Sequence, residues 1–164
     1  MKNFKQNRRG FTLVEMMLVI LILAIAATMG LDVIGNTEAS LRADRAAREA
    51  LVAIRAARSL AITTGGTFGV EFDVGNNRFQ VFNTTGSNVV NQSLISGGLY
   101  VINLSRAELN GTTMRPAIAN DLTDPYDVKF SGLGNTSNPG TVIFSYAGYK
   151  RTLTIPAVGE PTIN

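Results

Sequence analysis

The sequence contains neither cysteine nor histidine, and these two absences restrict its chemistry. Without cysteine, no disulfide can form and no thiolate can act as a nucleophile. Without histidine, imidazole catalysis is excluded and the common zinc ligand sets cannot be built. The remaining residues show no recognisable arrangement of catalytic groups. We therefore expect a protein that is not an enzyme and that needs no cofactor.

A third absence is that of charge from Met16 to Leu31, a stretch filled almost entirely by Met, Leu, Ile, Val and Ala. Counted from Phe11 to Gly30, the apolar segment has about 20 residues, the length at which a helix crosses a hydrocarbon core. Glu15 is the anomaly. A carboxylate inside such a helix costs about 2.5–3.5 kcal/mol at the centre of the bilayer and less near an end, so it needs a partner.

The residues before this segment are basic and include no acid. They carry four positive charges, on Lys2, Lys5, Arg8 and Arg9. Positive charge is retained on the cytoplasmic side of a membrane helix. We therefore expect a cytoplasmic N-terminus, with everything after residue 30 across the membrane.

Three interpretations of this N-terminus compete. An ordinary signal peptide would be cut at a small-residue site, which residues 24–26 could imitate. A plain single-pass anchor would need only the length. Cleavage after Gly10 would instead remove the basic leader and free the amine of Phe11, leaving Glu15 at i+4 from a new positive charge. Only the third interpretation gives Glu15 a role.

The basic leader, Gly10 and the run Phe11–Glu15 before an apolar helix together resemble the prepilin signature of type IV pilins and type II secretion pseudopilins. The resemblance implies that a membrane peptidase cuts after Gly10 and methylates Phe11. It also implies that Glu15 pairs with the N-terminus of a neighbouring subunit and sets the register of assembly.

Charge must be counted on the mature chain. Removing the four leader cations from the 15 Lys and Arg residues leaves 11, against 12 acids, so the formal charge of +3 does not indicate a nucleic-acid partner. We expect four segments: a basic leader, 1–10; a transmembrane and filament-core helix, 11–31; an amphipathic continuation of the helix, 32–62; and a periplasmic β-domain, 63–164. The length leaves room for one domain after the membrane helix.

The second half of the helix is amphipathic. Its small face consists of Ala43, Ala46, Ala47, Ala50, Ala53, Ile54, Ala57 and Ala61, and its opposite face of Arg45, Arg48, Arg55 and Arg58. Small residues let a helix lie close to a sheet. We interpret the arginines as a solvated face, with a binding surface as the alternative.

The chain after residue 64 has β character. Alternating strands flank the turn residues 74–77, which predicts a hairpin. Further strands are predicted at 99–104, 126–130, 141–146 and 150–155, whereas 105–125 indicates a loop or a weak helix. The predicted fold class is therefore α+β, with a long N-terminal helix packed by its second half on a C-terminal antiparallel β-domain, and the resemblance to pilins implies that this fold is pilin-like.

Residues 55–62, 70–72, 128–130 and 151–155 resemble the minor pseudopilin and minor pilin type called GspH or FimT. This implies a periplasmic tip or initiation subunit of the filament and not its bulk subunit. We expect it to be rooted in the inner membrane by a single pass before it enters the filament, with other pilin subunits and the prepilin peptidase as partners. The alternative is a DNA-binding minor pilin for DNA uptake. DNA-binding relatives carry arginines after the last glycine, whereas here Glu160 and Pro161 follow Gly159.

Two further groups of residues are minor candidates for a binding site. Lys150 and Arg151 are the residues that could contact nucleic acid near the end of the chain. Asp121, Asp124 and Asp127 could form a calcium loop, but Pro125 interrupts the spacing and no EF-hand pattern follows. Ordinary loop acids are the simpler interpretation.

Overall fold

The computed structural model describes residues 10–84, 88–89, 100–118 and 125–164, and describes only the backbone of residues 28–36 and 88–89. The leader cations, Gly97, Gly98 and two of the three candidate calcium acids, Asp121 and Asp124, lie outside the described residues. The chain divides into two compact units, Met1–Glu38 and Ala39–Asn164.

The helix α1 (Leu13–Thr64) has 52 residues and contributes to both units. The helical assignment includes Gly30 and Gly35, each of which costs about 1 kcal/mol relative to alanine in a helix interior. In the described part of the chain, no helix combines the length and the apolar character needed to cross a membrane.

The alanine face predicted for the second half of α1 is confirmed. All eight of its members are completely buried. Their side chains are short, so the helix axis can approach the sheets closely without leaving voids. This face joins the strands in one hydrophobic core, in which Phe72, Phe79 and Phe144 are the largest fully buried side chains.

The first sheet has five strands: β1 (Phe68–Asp73), β2 (Arg78–Asn83), β3 (Asn88–Val89), β4 (Val101–Asn103) and β6 (Tyr126–Phe130). β1 is central, with β2 on one side and β6 on the other, both antiparallel. The predicted hairpin is confirmed. Asp73 fixes its turn by accepting a 2.9 Å hydrogen bond from the amide of Asn76.

The second sheet has four antiparallel strands in the order β5 (Thr113–Ile118), β7 (Gly140–Tyr146), β8 (Tyr149–Ile155) and β9 (Thr162–Ile163). Ala147 (φ 47) and Gly148 (φ 88) both adopt the left-handed conformation in the turn between β7 and β8. That conformation is typical of the tight turn that closes a hairpin. The ring of Phe144 contacts Phe79 of the first sheet at 6.3 Å between centroids.

The prediction of a loop or weak helix over 105–125 was wrong for β5. This strand pairs with β7 over six residues, with Pro116 opposite Val142. Pro116 suggested a loop because proline has no backbone N–H to donate. An edge strand such as β5 pairs on one side only, so a proline there does not interrupt the hydrogen bonds between two neighbouring strands. The α+β prediction as a whole is confirmed.

Candidate functional site

The N-terminal segment begins with a capping box. The amide of Glu15 donates to Oγ1 of Thr12 (3.2 Å), and the amide of Thr12 donates to Oε2 of Glu15 (3.5 Å). The two side chains thus satisfy two of the amides that a helix start leaves without partners. Glu15 therefore has a local role that does not depend on cleavage at Gly10. The sequence interpretation missed it, although Thr-x-x-Glu before an apolar run is its signature.

The apolar side chains that follow are exposed. They are Phe11, Leu13, Val14, Met16, Met17, Leu18, Val19, Ile20, Leu21, Ile22, Leu23 and Ile25. Exposure ranges from 43% for Val19 to 78% for Phe11. An apolar surface that surrounds a helix on all sides needs a nonpolar environment or other helices to cover it.

Within the second unit, Arg58 joins the helix to two distant loops. Its Nε donates to the carbonyl of Gly134 (3.0 Å), and its NH1 donates to the carbonyl of Gly159 (2.8 Å). NH1 also pairs with Oε1 of Glu160 at 2.6 Å. The interpretation of Arg58 as part of a solvated face was wrong, because only 21% of its side chain is exposed.

Glu160, which directly follows Gly159, contacts two arginines of the helix. Its second carboxylate oxygen is 3.6 Å from Nε of Arg55, so one acid serves two helix arginines. Arg55 itself remains 56% exposed, as expected for a solvated residue. The carboxylate of Glu160 therefore partly neutralises the positive charge of Arg55 and Arg58 on the helix.

The two nucleic-acid candidates lie in different settings. Lys150 is exposed near the tip of the β7–β8 hairpin, whereas Arg151 is half-buried. Nε of Arg151 is 3.5 Å from Asp44, whose other oxygen is 2.6 Å from Arg48. The structure thus does not leave Lys150 and Arg151 as a pair of equally available cations, because Arg151 is held against the helix.

Acidic side chains gather on the first sheet. Glu71 on β1 lies directly opposite Asp127 on β6. Burial raises the pKa of the Glu71 carboxyl above its ordinary value, and the negative charge of Asp127 raises it further. A 2.8 Å hydrogen bond from the side-chain amide of Gln80 partly opposes this shift. Asp127 forms an ion pair with Lys129 at 3.1 Å.

No metal centre is found among the residues that the structure describes: none of their Asp and Glu side chains form a group of three or more that could hold an ion. Asp127, the described member of the candidate calcium loop, is on a strand and contacts a lysine. A site made by all three aspartates is therefore not proposed.

Two family models match the chain, one after the other. The prokaryotic N-terminal methylation motif matches residues 5–31, and the model described as type II transport protein GspH matches residues 46–159. The first match includes Gly10, Phe11 and Glu15. No curated protein matches the chain by sequence.

Solved structures share the fold. The minor pseudopilin EpsH from the type 2 secretion system of Vibrio cholerae is 16% identical, with a TM-score of 0.57, over 75% of this chain and 96% of that chain. The type IV minor pilin FimU of Pseudomonas aeruginosa is 17% identical, with a TM-score of 0.53, over 74% of this chain and 87% of that chain.

Proposed function

The chain belongs to the family of type II transport protein GspH and is a structural subunit of a pseudopilus or type IV pilus; from this premise we propose how its N-terminus is processed and assembled. Prepilin peptidase cuts after Gly10 and methylates the new amine of Phe11. The observation that carries this proposal is the match of residues 5–31 to the methylation motif, on the N-terminal side of the family domain at residues 46–159.

The motif and the family imply a membrane-anchored component of the filament. We propose that residues 11–31 form a single pass through the inner membrane, with the leader in the cytoplasm and the β-domain in the periplasm. The four leader cations and the absence of charge from Met16 to Leu31 support this orientation. In the assembled filament, the exposed apolar side chains between Phe11 and Ile25 would pack against the same segment of other subunits.

Glu15 is the proposed register device. In a bundle of apolar helices, its carboxylate would pair with the Phe11 amine of a neighbouring subunit, and each charge would offset the desolvation of the other. Leaving one member of such a buried pair alone costs about 3–5 kcal/mol. The capping box is compatible with this role, because a carboxylate has two oxygens and can accept several hydrogen bonds.

The experiment for processing is intact-mass analysis of the protein purified from cells that contain prepilin peptidase. The expected mass is that of residues 11–164 plus one methyl group. Substitution of Gly10 by a bulky residue should leave the full chain uncut. Cleavage near residues 24–26 would instead show an ordinary signal peptide and would contradict the proposal.

Glu15 can be tested separately from its capping role. Glu15→Gln keeps a side chain that serves in a capping box but removes the charge, whereas Thr12→Ala removes the cap but keeps the charge. We expect Glu15→Gln to insert into the membrane yet to be depleted from filaments, and Thr12→Ala to assemble almost normally. The opposite order of defects would mean that Glu15 acts only as a cap.

DNA binding, the alternative left open by the sequence, has no support from the family or from the solved structures. The family is structural, and no catalytic role is indicated for it. Our conclusion is a filament subunit whose helix assembles and whose β-domain faces outward.

A further inference from the structure

The outer side of α1 in the second unit has a regular pattern of exposure. From Leu41 to Ile62, the exposed side chains on the helix form one stripe, which we call the arginine seam: Leu41, Arg45, Arg48, Val52, Arg55, Ser59 and Ile62. Successive members are separated alternately by four and three residues, and every residue between them is buried or half-buried. The arginine seam is therefore a single row of exposed residues along the helix.

This alternation has a specific geometric meaning. Spacing by four and three residues repeats every 3.5 residues on average, which is the repeat by which one helix packs along another at a shallow crossing angle. The seam spans 21 steps of the helix, or about 32 Å. Its three apolar members, Leu41, Val52 and Ile62, are 48%, 57% and 51% exposed, so each retains apolar surface that a partner could cover.

The charges of the seam define the partner further. Arg45 is exposed, and among the residues that the structure describes no carboxylate forms an ion pair with it. Arg48 and Arg55 each contact one acid but keep 70% and 56% of their side chains exposed. The seam of a second copy would place arginine against arginine, which is unfavourable. A lipid surface needs a broad apolar face, whereas here arginines separate the apolar residues.

We propose that the arginine seam is the docking surface for an α-helix of a neighbouring, different subunit, and that this helix carries Asp or Glu between apolar residues at heptad spacing. The apolar members of the seam provide the contact area, and the arginines select the acidic partner and its register. The proposal rests on the proposed function, since it requires that the chain stands beside other subunits in a filament.

The test uses the full chain in cells that assemble the filament, with a photoreactive amino acid introduced at one position. Val52 and Ser59 are the seam positions, and Ala117, which is exposed on β5, is the control. We expect a cross-link from both seam positions and none from Ala117. Peptide mapping should place the partner's cross-linked residues on one face of a helix, within one turn of Asp or Glu.

Charge variants provide the second part of the test. Arg45→Glu should reduce the Val52 cross-link about tenfold, because it puts a carboxylate against the acids of the partner. Arg45→Lys should largely preserve the cross-link. Arg115→Glu is the matched control, since Arg115 is also exposed but lies on β5, and it should have no effect.

The proposal would be overturned if Ala117 gave as much cross-linking as the seam positions, or if Arg45→Glu did not change the Val52 cross-link. It would also be overturned if the cross-linked partner were lipid, nucleic acid or the seam of a second copy. A cross-linked site on a strand or on a basic helix of the partner would contradict it as well. Filament incorporation is measured in the same cells. A chain that is incorporated but gives no seam cross-link refutes the seam alone. A chain that never enters a filament refutes the proposed function as well.

Discussion

Arg58 offers the sharpest test of how the β-domain is held on the helix. We expect Arg58→Ala to destabilise the second unit far more than Arg55→Ala. Both residues are on α1, one turn apart, and both contact Glu160. Only Arg58 also donates to the carbonyls of Gly134 and Gly159, which lie 76 and 101 residues away in sequence.

The magnitude follows from these contacts. A hydrogen bond from a charged donor contributes about 1.5–3 kcal/mol, and loss of the donor leaves the carbonyl of the buried Gly134 without its guanidinium partner. The ion pair adds little, because Glu160 is 65% exposed and exposed pairs contribute about 0–1 kcal/mol. We therefore expect a loss of about 2–3 kcal/mol for Arg58→Ala, and about 0.5 kcal/mol or less for Arg55→Ala.

The assay is thermal unfolding of residues 37–164 as a soluble fragment, followed by circular dichroism. For a domain of this size, about 4 °C of midpoint corresponds to 1 kcal/mol, so Arg58→Ala should lower the midpoint by about 8–12 °C. Glu160→Gln separates the ion pair from the carbonyl contacts and should cost little. Equal midpoints for Arg58→Ala and Arg55→Ala would refute the reasoning, as would a Glu160→Gln loss as large as that of Arg58→Ala.

Three further predictions concern the same fragment. Gly140→Ala should unfold the fragment or lower its melting midpoint severely, because the new Cβ would lie 2.5 Å from the carbonyl oxygen of Ala117 and 2.7 Å from Cα of Ile118. Gly66→Ala is the control. Its new Cβ would lie 3.3 Å from the nearest atom, a side-chain oxygen, so it should lower the midpoint only slightly. Glu71→Gln should raise the free energy of unfolding at pH 7, and the gain should shrink as the pH falls from the raised native-state pKa of Glu71 towards the ordinary glutamate pKa of 4.5, below which it should be lost. The sign follows because the raised pKa means that the native state binds the proton more tightly than the unfolded state, so ionisation at higher pH costs stability; a gain that persists at pH 3 would contradict it. The unsubstituted fragment should sediment as a folded monomer. It should bind DNA with a dissociation constant no lower than about millimolar at physiological salt, since few phosphate contacts are available. Low-micromolar binding that is lost in the double variant Lys150→Ala with Arg151→Ala would contradict this prediction.

The capping box is defined by residues close together in the chain, whereas the arginine seam is defined by the tertiary structure. Thr12 and Glu15 have the spacing of a known local motif, so their hydrogen bonds could have been predicted from four residues. The seam required more, because the exposed stripe is defined by what the sheets cover. Alanine periodicity indicated the buried side of α1, but it did not show that the flanks were also covered.

The sequence by itself determined the long helix, its alanine face, the first hairpin and the motif at Gly10, Phe11 and Glu15, because each of these depends on residues close together in the chain. Tertiary structure alone decided that Pro116 belongs to an edge strand, since the position of β5 in its sheet depends on the distant β7. It also decided the role of Arg58. A helical wheel places this residue only about 60° beyond Arg55, and its burial arises because the loops at Gly134 and Gly159 bring their carbonyls to it.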